Sequence, residues 1–200
     1  MRGDQKLFIF AVTLLVTLVL LTLLCVFISK KLRKRLTRRS KQWWLIIHVL
    51  SVIIYFGGIF GQLLVTSSMT FFSDQSQIYV GILFISYFDH YLTIPGALAS
   101  LFTGIWLALR THWGGLTKYY WVLTKWIGNM LAILLGSSIT GNVVYNLFPK
   151  ILSSDLHPFQ NPLYFQSRRM LFWGISISFI LLAFLVIISY IKPWGKRKVN

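Results

Sequence analysis

LFIFAVTLLVTLVLLTLLCVFIS (Leu7–Ser29) runs straight into KKLRKRLTRRSK (Lys30–Lys41), and a second apolar run opens at Trp43. The first stretch has 23 residues without a charge, and crossing the hydrocarbon core of a bilayer takes about 20. The second carries eight basic residues, Lys30, Lys31, Arg33, Lys34, Arg35, Arg38, Arg39 and Lys41, and no acid. A secretory signal has an apolar core of about 7–15 residues and a small-residue cleavage site. This run is longer and ends on a stop-transfer block, so it reads as a retained transmembrane helix. Lys and Arg flanking membrane segments stay cytoplasmic, so the same block sets the orientation of the chain.

Working outward, four more apolar runs follow: Trp43–Val65, opened by the Trp43–Trp44 pair; Ile78–Leu109; Tyr119–Phe148, closed by Pro149; and Met170–Ile191, followed by Pro193 and Trp194. The third exceeds one span. Counting about 20 residues back from Leu109 puts the span proper at 90–109, with Asp89–His90 at the outer boundary. Ile78–Phe88 then lies along the interface or extends a tilted helix. Pro95 predicts a kink. The longest outer connection, Pro149–Arg169, holds three prolines and predicts irregular structure.

The expected fold is therefore an all-α bundle of five transmembrane helices, about 7–29, 43–65, 78–109, 119–148 and 170–191, in a single domain over 1–200. The basic loop 30–42 is cytoplasmic, the N-terminus outside and the C-terminus inside. Composition agrees: 56% of the 200 residues are hydrophobic and 12% charged, with mean hydropathy +0.69. A soluble domain of this size could not hide so much apolar surface. Charge tests the threading. The inner segments hold the eight loop residues plus Arg110, Lys118, Lys192, Lys196, Arg197 and Lys198, a total of +14. The outer segments hold Arg2, Lys6, Lys150, Arg168 and Arg169 against Asp4, Asp74, Asp89 and Asp155, a total of +1. Lys125 is left in the membrane.

The net charge of +16 is spread over short loops, and no soluble basic domain remains to bind nucleic acid. Cys25, the single cysteine, reads as a packed or lipid-facing hydrophobe. There is no Glu, no HExxH, Walker loop or GxSxG, and no Cys/His zinc spacing.

An ionisable group at membrane depth is a functional candidate by default. His48 and Lys125 both sit roughly 6–9 Å in from the cytoplasmic edge at 1.5 Å rise per residue. On the second span His48, Ser51, Tyr55, Gly58 and Gln62 share one helical stripe. On the fourth, Asn129 shares the face of Lys125. Gly57, Gly58, Gly61, Gly96, Ser100, Thr103 and Gly104 suit close helix packing. The site reading is a cytoplasmic-side pocket lined by His48, Tyr55, Lys125 and Asn129. In it Lys125 meets an anion and His48 serves as proton acceptor or metal ligand. The bland alternatives are a snorkelling Lys125 and a neutral, hydrogen-bonded His48.

Two stretches carry a resemblance. The first is WLIIHVLSVIIYFGG (Trp44–Gly58). The second combines TIPG (Thr93–Gly96), LFTGIWL (Leu101–Leu107) and WVLTK (Trp121–Lys125). Together they resemble a superfamily of small bacterial integral membrane proteins. It includes the HemJ-type protoporphyrinogen oxidases, the CopD-like copper-resistance proteins and an uncharacterised predicted integral membrane family. The resemblance covers about Trp43–Thr140 and implies a bacterial plasma-membrane protein. Its haem-pathway members imply b-type haem as cofactor, His48 as axial ligand and Lys125 as its functional, catalytic-type partner. Met69, Met130 and Met170 are scattered and do not form a copper cluster. The competing expectations are a non-catalytic scaffold, whose 30–41 loop meets anionic lipid, and a small transporter, for which a homo-oligomer would supply the pore.

Overall fold

The computed structural model describes residues 3–32, 35–113, 115–154 and 156–197. Arg2, Arg33, Lys34, Asp155 and Lys198 of the charge pattern lie outside the described residues, as do the side chains of Asp4 and Lys6. The chain is 85% helix, with no strand among the described residues. Five helices are long and apolar enough to cross a membrane: Leu7–Lys31, Arg38–Ser68, Gln75–Arg110, Tyr120–Leu152 and Pro162–Ile191.

Helix α1 covers Gly3–Lys31 and α2 Arg38–Ser68. The third span is α3 (Gln75–Phe88), a π-helical turn at Asp89–Thr93, and α4 (Ile94–Arg110). The fourth is α5 (Tyr120–Asn142), a second π-helical turn at Val143–Leu147, and the short α6 (Phe148–Leu152). Helix α7 covers Pro162–Ile191. Helices α2, α4, α5 and α7 form a ring in which each touches the next, and α1 packs outside it on α4 and α5. Leu18, Thr22 and Cys25 form its buried stripe, and the Trp126 Nε1–H donates to Thr22 Oγ1 at 3.4 Å.

Lipid is as apolar as Leu, so association in a membrane depends on close packing rather than on escape from water. The α2–α4 seam meets this need with glycine. A Cβ on Gly96 would stand 2.6 Å from the Tyr55 backbone nitrogen, and one on Gly58 would stand 2.8 Å from that of Thr93. Gly57, grouped with these in the sequence, has no atom within 4 Å and faces open space.

Hydrogen bonds bring the basic connections to one end of the bundle. The Leu36 N–H donates to the Arg110 carbonyl at 3.0 Å, and the Arg197 N–H to that of Lys118 at 2.9 Å. Arg110 Nη1 donates to the Ser29 carbonyl at 3.4 Å. This basic end gathers Lys30, Lys31, Arg35, Arg38, Arg39, Lys41, Arg110, Lys118, Lys192, Lys196 and Arg197. The 30–42 loop is shorter than expected. Helix α2 already begins at Arg38, with Thr37 Oγ1 accepting from the Ser40 N–H at 3.3 Å.

Three boundaries move. The third helical path starts at Gln75 rather than Ile78 and runs without a break to Arg110, so Ile78–Phe88 extends the helix. The fourth continues through Pro149 to Leu152, and the fifth starts at Pro162 rather than Met170. Proline lacks an N–H, and its ring strikes the carbonyl four residues back. For Pro95 and Pro149 those carbonyls belong to Tyr91 and Tyr145, and each lies in a π-helical turn, whose wider path makes room for the ring. The expected kink at Pro95 therefore takes the form of a π turn. Helix α7 gains its early start from Asn161, whose Oδ1 accepts the Leu163 N–H at 3.0 Å, with Pro162 in the first turn. Arg168 is thus helical and donates to the Met69 carbonyl at 3.3 Å, tying α7 to the far end of α2.

Candidate functional site

The ring of four helices encloses a cavity of about 1170 Å³ at the basic end, larger than the ~300–1,000 Å³ of most small-molecule pockets. Its body is apolar: Leu45, Val49, Val52 and Phe56 from α2, Leu101 and Ile105 from α4, Trp121 and Trp126 from α5, Phe179 and Leu182 from α7. Its polar lining is one-sided. It contains Lys41, Lys125, Lys192, His48 and His112, the neutral Ser100, Asn129 and Ser189, and, among the described residues, no carboxylate.

Each cation reaches the cavity from a different element. Lys41 lies in the first turn of α2. Lys125 lies just over one turn into α5, on the face that also presents Asn129. Asn129 Nδ2 donates to Ser100 Oγ at 3.4 Å and so links α5 to α4 across the cavity wall. Lys192 caps α7 in the left-handed region, at φ 50. The chain turns there, before Pro193, and the Lys192 ammonium stands 5.7 Å over the Trp121 ring. A side chain in this conformation carries about 1–2 kcal/mol of strain. Lys192→Gly is therefore expected to raise the unfolding temperature, which a thermal melt checks.

His48 is fixed by its neighbour. Thr103 Oγ1 donates its single hydrogen to the Ala99 carbonyl at 2.6 Å, so at its 2.8 Å contact with His48 Nδ1 it accepts. The Nδ1 atom thus carries the proton, and Nε2 is left with a free lone pair on a ring that lines the cavity. Gly104 makes room for that ring, since a Cβ there would lie 3.2 Å from His48 Cε1. An imidazole held through one nitrogen with the other free is the arrangement found at metal-ligating histidines.

Of the four residues singled out from the sequence, the structure brings His48, Lys125 and Asn129 into this cavity. Tyr55 is elsewhere: it is 2% exposed and its backbone packs on Gly96, away from the lining. Met130 is buried in the core, Met69 lies at the far end of α2, and Met170 is exposed. Among the described residues no group of three His, Cys or Asp side chains could hold a metal ion. Lys41, His112 and Lys192 join the site without having been singled out. Lys41 and Lys192 enter the sequence pattern only as cationic residues of the inner segments, and their shared end of the bundle is visible there.

The opposite half of the α2–α4 seam holds a second polar group. Asp89, expected at the outer boundary, is buried at 6% exposure inside the third span. Gln62 Nε2 is shared between Asp89 Oδ1 and Thr93 Oγ1, at 3.2 Å each.

Comparison of the chain with family models, with curated proteins and with solved structures gave no match.

Proposed function

We propose that the chain is a multi-pass membrane protein that binds a large amphiphilic anion in the basic-end cavity, and that this ligand is a b-type haem. The observation that carries the reading is the make-up of the lining: an apolar body, three lysines, a histidine with a free nitrogen, and no carboxylate. A macrocycle with two carboxylates uses every one of these features. His48 Nε2 would ligate the iron, while Lys41, Lys125 and Lys192 would neutralise the carboxylates at the cavity mouth. Thr103 keeps the His48 tautomer fixed, and Trp121 and Trp126 exclude water from the apolar body. The bound group would supply one-electron chemistry. Lys125 is placed to hold an anionic substituent or to pass a proton to it. The resemblance noted above supports the same pair of residues.

The basic end is assigned to the cytoplasm of a bacterial plasma membrane, with the N-terminus outside, because the cationic connections gather there. Its lysines and arginines then meet the anionic headgroups of the inner leaflet.

The test is an absorption spectrum of the detergent-purified protein, oxidised and dithionite-reduced, after expression in haem-replete cells. A Soret band with resolved bands on reduction supports the reading; a featureless spectrum removes it. A second reading is favoured by where the cavity opens. Leu45, Val49 and Ile53 on α2 and Val186 and Ile187 on α7 line it and are also exposed on the lipid-facing surface. Phe56 and Phe179 close this side nearer mid-helix, with ring centroids 4.6 Å apart. An anionic lipid could enter sideways below that clasp. Mass spectrometry of the purified protein, showing a stoichiometric acidic lipid and no haem, would favour it.

A further inference from the structure

The chain has four carboxylates and no Glu. Asp89 is set apart from Asp74, which is exposed at the start of α3: it is buried inside the third span, between α2 and α4. Its neighbour Gln62 lies six residues before the end of α2 at Ser68, roughly 9 Å into the helix. We infer that Asp89 is a proton-binding acid, neutral when protonated and exchanging its proton at the end of the bundle opposite the basic one. It uses none of the cavity residues.

Three observations converge on it. First, its hydrogen-bond partner is neutral. Gln62 is its hydrogen-bond donor, and no Lys or Arg among the described residues pairs with it. An unpaired charge within a span is strongly disfavoured in an apolar surrounding, a cost the protonated acid avoids. Second, it opens a π-helical turn, an irregularity that concentrates at functional positions. Third, a hydrogen-bonded polar cluster that reaches the surface lies close to it in the chain. The next residue, His90, is exposed, and its Nδ1 is 2.8 Å from the hydroxyl of Tyr145 in the other π-helical turn. Ser86 Oγ lies 3.5 Å from the same hydroxyl. The titratable groups within electrostatic reach of Asp89 are Tyr55 from α2, His90 from its own turn and Tyr145 from the turn after α5. Two of them, His90 and Tyr145, face the surface.

The test uses N,N′-dicyclohexylcarbodiimide on the full-length protein in detergent. The reagent partitions into apolar regions and needs a protonated carboxyl. The acid O–H adds across one C=N bond and the acyl group then migrates to nitrogen, so the adduct keeps every atom of both partners. The expected result is one adduct per chain, located at Asp89 by peptide mass and formed faster at acidic than at alkaline pH. It should be lost in Asp89→Asn and be equal in sodium and choline chloride. Absence of an adduct at Asp89 in the wild type would overturn the proposal, with no variant needed to read it. Suppression by sodium would also overturn it, since the occupant would then be a metal cation rather than a proton.

Discussion

Gly96→Ala is expected to lower the thermal unfolding midpoint sharply, and Gly57→Ala to leave it unchanged or raise it. The new methyl at Gly96 would stand 2.6 Å and 2.8 Å from the backbone nitrogen and Cα of Tyr55. Backbone cannot rotate away, so α2 and α4 must separate along the seam that carries the His48–Thr103 and Gln62–Asp89 bonds. Overpacking of this kind costs about 1–3 kcal/mol and occasionally more. At Gly57 nothing lies within 4 Å, and replacing a helical glycine by alanine gains about 0.5–1 kcal/mol. A melt of the two variants in the same detergent reads the difference. Equal midpoints would mean that the α2–α4 contact is not as close as the structure has it.

On the haem reading proposed above, His48→Ala is expected to abolish the Soret band while leaving expression unchanged and the unfolding midpoint near that of the haem-free wild type. The reason is geometric: His48 supplies a cavity-facing imidazole on a helix held against α4 independently by Tyr55 on Gly96 and by Gln62. Thr103→Val tests the positioning argument. It removes the acceptor for Nδ1–H without touching the ligating atom, so affinity should fall by roughly 10–100-fold, the usual cost of losing such a partner. Lys125→Ala should weaken binding on a similar scale, about 1.5–3 kcal/mol for a bond to a charged group. A binding titration of the three variants ranks them. A Thr103→Val protein with unchanged affinity would show that His48 is not oriented through Nδ1.

The existence and order of the five spans were legible in the chain because lipid demands long apolar segments and the basic clusters alternate with them. The ends were less legible. Asn161–Pro162 is a helix-start signal that a hydropathy reading overlooks, and it moves the start of α7 eight residues earlier than Met170. Pro149 reads as a stop, yet a π turn before it lets the helix continue. Asp89 shows the limit of counting residues across a bilayer: a span of 36 residues leaves the position of a single side chain to packing. At the cavity, helical periodicity placed His48, Lys125 and Asn129 correctly on inward faces. It placed Tyr55 on the same stripe as His48, but did not show that the stripe faces α4 while the cavity opens beside it. Lys192 could not be found by pattern, because its approach depends on a left-handed cap.

The most direct measurement is a titration of the haem-free protein with ferric haem, followed by tryptophan fluorescence, because Trp113, Trp121 and Trp126 all line the cavity. Saturable quenching at one haem per chain is expected, lost in His48→Ala and weakened in Lys125→Ala. Quenching that rises without saturation, or that is identical in wild type and both variants, would contradict it.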